Sequence, residues 1–173
     1  MNIFNLTKPS IIDPIVFATI APPTNMAGFK AWIECILAES IQRVVCLLPP
    51  DQLQDFSSLP GGLLVQLHEQ FGEANVCWAP IKELHYADLS TLRCILDFLE
   101  DSALRKQKVV VHCLAGLGRT GHVLAAWLVS HHGLSIQDAI AKMIALGRDP
   151  WEAVAYGNAR QEDLEKLLAH FLK

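Results

Sequence analysis

The chain has 173 residues, enough for one domain with a sizeable buried core. Hydrophobic residues make up 51% and charged residues only 18%, which excludes a disordered segment. A net charge of −4 leaves no basic surface that would recommend nucleic acid or an anionic membrane as a partner.

In chain order, residues 1–14 read as an irregular lead-in punctuated by Pro9 and Pro14. The β-branched, apolar run Ile15–Ile20 predicts a strand, broken by Ala21-Pro22-Pro23. Phe29, Trp32, Ile33, Ile36 and Leu37 recur at helical spacing and predict a helix over 28–39. Arg43–Leu48 predicts a second buried strand, stopped by Pro49-Pro50. A short helix is expected within 51–59 and another over about 60–71, ended by Gly72. Residues 75–81 predict a third strand and 82–88 a polar, irregular segment. Leu89, Leu92, Ile95, Leu96, Leu99 and Ala103 mark a long helix reaching about Arg105. Lys108–His112 predicts the fourth strand. Helices are expected over 120–132, over 135–146 with Ser135 as N-cap and Asp138 beside it, and over about 159–171. Strands alternating with helices imply an α/β fold, a central, mostly parallel sheet flanked by helices. Without an internal repeat or linker, 1–173 is expected to form one domain.

The chemistry concentrates in residues 112–121, His112-Cys113-Leu114-Ala115-Gly116-Leu117-Gly118-Arg119-Thr120-Gly121. A strand, a tight glycine-bearing loop and a helix in that order make an anion site from backbone alone. The loop N–H groups form a nest, and the helix N-terminus adds partial positive charge. The backbone of Leu114, Ala115, Gly116, Leu117, Gly118 and Arg119 would line that cradle. In such a field Cys113 is a candidate nucleophile, attacking phosphorus in line. The planar fork of Arg119 suits two oxygens of one phosphate. Thr120 would donate its hydroxyl to the sulfur and help it leave, and His112 would support the loop through hydrogen bonds. Neither glycine has a side chain to obstruct a close anion.

This loop resembles the signature of cysteine-dependent protein tyrosine and dual-specificity phosphatases: His-Cys, five residues, Arg, then Ser or Thr. The order of elements over roughly residues 12–171 resembles the compact, atypical branch of that family, in which the kinase-associated phosphatase is found. The resemblance implies a protein tyrosine phosphatase-like fold and a phosphocysteine intermediate, with no metal or other cofactor. It also implies a phosphorylated protein as substrate, phosphotyrosine and phosphoserine or phosphothreonine alike, because no extra segment builds a deep phosphotyrosine pocket.

The family's general acid is an aspartate on the loop after the third strand. Here Glu83 follows Pro80-Ile81-Lys82 at that place, while Asp88 carries the usual side chain five residues later. Asp88 is also a good N-cap for the helix that starts at Leu89. Asp88 is the first choice on chemistry, with Glu83 close behind it. Arg148-Asp149-Pro150-Trp151-Glu152-Ala153-Val154 resembles a downstream family run with one inserted residue, after which many members place a water-positioning glutamine. Gln161 is the candidate here, or an exposed residue opening the last helix. Arg148 would bind substrate or pair with Asp149 or Glu152.

Trp32, Trp78 and Trp127 fall in apolar patterns and are expected in the core, and Trp151 would flank the pocket. Five scattered cysteines, mostly in apolar runs, suit a reducing compartment better than a disulfide framework. Cys46 would be an inert buried thiol or a resolver of oxidised Cys113. No apolar run reaches membrane-spanning length and no signal-peptide pattern opens the chain, so the expected location is the cytoplasm. Rival readings are a phosphate-binding module without turnover, a phosphatase of lipid or small phosphate esters, and an oxyanion reductase using the same Cys-x5-Arg loop.

Overall fold

In β4 (Lys108–His112), Val109 and Val111 face one side of the sheet and Val110 the other, and all three are fully buried. A strand with apolar residues on both faces needs helices on both sides, and that requirement organises the fold. The computed structural model describes residues 4–8 and 13–173. Its sheet has four strands in the order β1-β4-β2-β3, with β1 at Val16–Thr19, β2 at Ile41–Cys46 and β3 at Val76–Trp78. Every pairing among them is parallel.

One face is covered by α1 (Met26–Ala38) and α3 (Gly62–Phe71). Phe29, Trp32, Ile33 and Ile36 of α1 meet Phe17, Val44, Cys46 and Val110 of the sheet, together with Leu63, Leu67 and Phe71 of α3. Asn25 caps α1, its side chain accepting the Gly28 N–H at 2.9 Å. The other face carries α4 (Leu89–Arg105), α5 (Gly118–Ser130), α6 (Ile136–Ala145) and α8 (Gln161–Ala169). Helix α5 is buried from Gly118 through Val129, because α6 and α8 pack on the side that the sheet leaves open. Single turns complete the chain at α2 (Pro50–Leu53) and α7 (Glu152–Ala155). Each fully buried Leu, Ile or Val contributes about 1.5–3 kcal/mol, so the two apolar layers dominate the stability.

Several expectations change. The third strand is shorter than 75–81: Pro80 has no N–H to donate, so the pairing lapses into single bonds from Ala79 N to Cys46 O and Ile81 N to Leu47 O, both 3.1 Å. Helix α5 starts at Gly118 rather than Thr120, which brings Arg119 into its first turn. The α7 turn was not foreseen. Trp78 is not a core residue; on the edge strand it is 43% exposed, with its indole N–H donating to Leu48 O at 2.9 Å. The lead-in is partly ordered. Thr7 forms an antiparallel bridge with Ala18, and Phe4 is buried, its carbonyl accepting from Thr19 Oγ1 at 2.6 Å. Pro9, expected to punctuate that segment, lies outside the described residues.

All four strands point their C-terminal ends the same way, and β4 lies between β1 and β2. The loop after β4 therefore emerges in the crevice at the carboxyl edge of the sheet, where open α/β folds place their ligands.

Candidate active site

The loop that follows β4 is tied down on each side. Leu47 N donates to His112 O at 2.9 Å, and Ala21 N donates to Leu114 O at 3.0 Å. Gly116 adopts a φ of 69°, a conformation that costs other residues energy. A Cβ there would also lie 2.6 Å from Arg148 Nη1 and 2.9 Å from Thr19 O. Leu114 and Ala115 are exposed at the rim, and Leu117 is half-buried. Cys113 is 2% exposed, and Thr120 Oγ1 donates to its Sγ at 3.2 Å. The sulfur is thus buried and tied to the first turn of α5.

Arg119 is 3% exposed and held from several directions. Its Nη1 donates to Gln52 Oε1 at 2.7 Å and to Ile81 O at 3.3 Å. Its Nη2 lies 3.7 Å from Glu83 Oε1, whose side chain is 52% exposed. The α2 turn and the segment after β3 therefore aim the guanidinium, while the loop itself sets where its stem begins. Gln52 is a site residue that sequence reasoning missed; a glutamine in a four-residue turn carries no pattern.

The carboxylates separate clearly. Glu83 is in the Arg119 shell. Asp88 is the N-cap of α4: its carboxylate accepts from Thr91 N at 2.8 Å, Ser90 Oγ at 2.6 Å and Thr91 Oγ1 at 2.9 Å. Those donors, Ser90 first, hold its carboxyl at about 2 and engage it at the helix end. A third carboxylate, Glu152, was not anticipated. It faces the Gly118 N–H, and a Cβ on Gly118 would collide with its Oε2. Burial, then the charge of Asp149, pushes the Glu152 carboxyl up, opposed by Arg119.

Histidines hold the site together in ways the sequence did not announce. His122 is buried on α5, accepting the Ala87 N–H at Nε2 (3.1 Å) and facing Gly118 O with Nδ1 (3.1 Å). These two bonds fix its tautomer with the proton on Nδ1 and join the segment that carries Glu83 to the phosphate loop. Burial holds it neutral, its pKa down at about 4. His112, expected to support the loop through hydrogen bonds, does so by packing instead. Its ring meets Trp32 edge-on at 5.7 Å, and among the described residues neither ring nitrogen has a partner of good hydrogen-bond geometry. Burial holds His112 at about 4, with the Cys113 backbone opposing the shift.

Arg148 touches neither Asp149 nor Glu152. It is buried, donating to Gly116 O from Nη1 and to Asn5 O (3.0 Å) and Thr7 Oγ1 (2.7 Å) from Nη2. It acts as a strut between the N-terminal segment and the loop. Gln161 is exposed at the start of α8, facing Glu165 at 3.4 Å, and belongs to the helix rather than the site. Trp151 is half-buried against the core. Cys46 is buried, its thiol pushed up to about 12 by burial.

Residues 65–156 match the model of the dual specificity phosphatase catalytic domain, more than half of the chain. The chain belongs to the dual specificity phosphatase catalytic-domain family. Among curated relatives, the bovine protein tyrosine phosphatase domain-containing protein 1 is 34% identical over 141 residues, covering 80% of this chain and 16% of that protein. Its mouse counterpart is 29% identical over 137 residues, covering 72% and 17%. The chain thus spans about a sixth of the length of these relatives. Among solved structures, Tk-PTP in its active form superposes with a TM-score of 0.70 at 21% identity, covering 96% of this chain and 95% of that one. Kinase associated phosphatase gives 0.69 at 21% identity over 90% and 88%, and PTPMT1 bound to PI(5)P gives 0.70 at 17% over 92% and 94%. Such likenesses establish the protein tyrosine phosphatase-like fold and, with the family match, the compact character of this member.

Proposed function

We propose that this dual specificity phosphatase domain hydrolyses phosphate monoesters of proteins through a phosphocysteine intermediate. Cys113 Sγ attacks phosphorus, the S–P bond forms as the P–O bond to the leaving group breaks, and the alcohol departs. Water then attacks the phosphocysteine, the S–P bond breaks, and inorganic phosphate leaves. Arg119 carries the equatorial oxygens together with the loop N–H groups of residues 114–119, and stabilises charge as the transition state loosens. Thr120 donates to the sulfur it already faces and eases its departure in the second step. Glu83 gives its proton to the leaving oxygen and, as the carboxylate, activates the water. Of the two acids the sequence offered, it is the one beside Arg119.

The observation that carries this reading is a buried thiol hydrogen-bonded by Thr120 and, six residues on, a buried arginine held by Gln52, Ile81 and Glu83. A phosphoprotein is favoured over a lipid because the loop interior, Leu114 to Gly118, carries no lysine or histidine to meet additional phosphates. One structural neighbour, PTPMT1, was solved with PI(5)P, so a phosphoinositide is the comparison substrate. No helix among the described residues is long and apolar enough to cross a membrane, and all five cysteines are free thiols, which supports action in the cytoplasm. The test is turnover of an aryl phosphate, a phosphotyrosine peptide, a phosphoserine peptide and PI(5)P by wild type and Cys113→Ser. Peptide turnover that vanishes in Cys113→Ser supports the reading. Phosphate or vanadate binding without turnover of any substrate would make the domain a binding module instead.

A further inference from the structure

Tyr86 stands between Glu83 and the cap of α4, and its side chain reaches out of its own segment. The hydroxyl donates to Pro150 O at 3.1 Å, and the ring meets the buried His122 ring edge-on, with centroids 5.2 Å apart. Pro150 is a firm partner. It is buried, and a Cβ on Gly121 of α5 would lie only 3.1 Å from its nitrogen. Burial, then the charges of Asp149 and Asp163, push the Tyr86 phenol up, so the hydroxyl keeps the proton it donates.

The chain on either side shows what this contact can do. At one end, Ile81 N donates to Leu47 O at 3.1 Å and Ile81 O accepts from Arg119 at 3.3 Å. At the other, Ala87 N donates to His122 Nε2 at 3.1 Å, one residue beyond Tyr86. Between these anchors the chain closes into a turn. His85 N donates to Lys82 O at 3.2 Å, and His85 Nδ1 faces Glu83 O at 2.7 Å. Leu84 adopts a φ of 59°, which is strained for a bulky side chain and persists only where the surroundings hold it. Glu83 is carried on this turn, and its carboxylate reaches Arg119 at 3.7 Å. A group on so short a turn takes its position from the anchors at the two ends.

We propose that Tyr86 is a positioning residue for the general acid: its bond to Pro150 and its contact with His122 hold the far end of the turn, and so set where Glu83 meets the leaving oxygen. The inference rests on the reading of Glu83 as the acid. The proton passes from the Glu83 carboxyl to the leaving oxygen as the P–O bond breaks, while Tyr86 keeps its own. Proton transfer is steeply sensitive to such placement, and substrates whose leaving group needs no proton are not.

The test is kcat/KM on p-nitrophenyl and phenyl phosphate for wild type, Tyr86→Phe, Glu83→Gln and the double variant, with vanadate inhibition of each. Tyr86→Phe keeps the ring and loses only the hydroxyl. It is expected to lower kcat/KM about three- to tenfold on phenyl phosphate and less than about twofold on p-nitrophenyl phosphate, with vanadate inhibition unchanged. In the Glu83→Gln background it should cost nothing more, because it acts through that carboxyl. No loss on phenyl phosphate, an equal loss on both substrates, weaker vanadate inhibition, or a further loss in the double variant overturns the inference and leaves Glu83 as the acid. A Glu83→Gln protein with the wild-type dependence on leaving group removes the acid assignment itself, and the role of Tyr86 falls with it.

Discussion

Gln52 Oε1 accepts the Arg119 Nη1–H at 2.7 Å, and both side chains are buried. A neutral acceptor fixes the guanidinium plane without cancelling its charge, which leaves that charge for an incoming phosphate. Gln52 is thus a positioning residue. Removing one hydrogen bond to a charged group costs about 1.5–3 kcal/mol, so Gln52→Ala is expected to lower kcat/KM by about ten- to a hundredfold. Gln52→Glu keeps the acceptor but places a carboxylate against Arg119, and vanadate binding should weaken more than in Gln52→Ala. Steady-state kinetics and vanadate inhibition of both variants check this; equal vanadate affinity in the two would reduce Gln52 to a packing residue.

Glu83 and Asp88 differ in what already occupies their oxygens. Glu83→Gln should lose about a hundredfold or more in turnover of poor leaving groups such as phenyl phosphate, and far less on p-nitrophenyl phosphate, whose leaving group needs no proton. The basic limb of its pH–rate profile should flatten, because that limb reports the acid losing its proton. Asp88→Asn should retain both rate and limb, and lose little stability, since asparagine is an equally good N-cap. A flattened limb in Asp88→Asn with a normal one in Glu83→Gln would reverse the assignment.

The sequence made the grouping of Cys113, Arg119 and Thr120 legible because it is local: one strand, one loop and one helix turn hold them all. The central β4 was equally plain, since a valine run buried on both faces has few other uses. What stayed hidden comes from chain that is distant in sequence. Gln52, His122 and Arg148 reach the site from α2, from one turn into α5 and from beyond α6, and each looks ordinary in its own neighbourhood. Glu152 was hidden for a related reason: only the close approach of the 149–152 turn to Gly118 gives its carboxylate a task. The choice between Glu83 and Asp88 depended on the α4 cap, which the sequence offered as one alternative and the structure fills with Asp88.

His122 and His112 give acid sensitivity to the fold itself. Both are buried and held at about 4, whereas an unfolded histidine titrates near about 6.5. The unfolded chain therefore binds more protons between those values, so stability falls as pH drops from about 6.5 to about 4 and is insensitive to these groups above that range. Each contributes up to about 1.4 kcal/mol per pH unit across the window. Urea unfolding over pH 4–8 should show this slope, and His122→Phe should lower it while also destabilising at pH 8. The destabilisation arises because the Ala87 N–H and Gly118 O lose their partner, at about 1–3 kcal/mol each. An unchanged slope in His122→Phe would mean that the ring is protonated in the folded state.

Glu152 sets a carboxylate at the rim of a site built for an anion. Its carboxyl is pushed up by burial and by Asp149, yet the Gly118 N–H and Arg119 favour the charged form. A phosphate dianion settling on the same loop would be repelled by that charge, at about 1–2 kcal/mol in a partly exposed setting. Glu152→Gln is therefore expected to tighten vanadate binding about tenfold at neutral pH. The gain should shrink as pH falls, because protonation of Glu152 neutralises the wild-type side chain and brings the two proteins together. Vanadate inhibition constants measured for both across the pH range decide it. Weaker binding in Glu152→Gln at neutral pH would mean that the carboxylate holds the Gly118 turn in the shape the anion needs, and that this outweighs the repulsion.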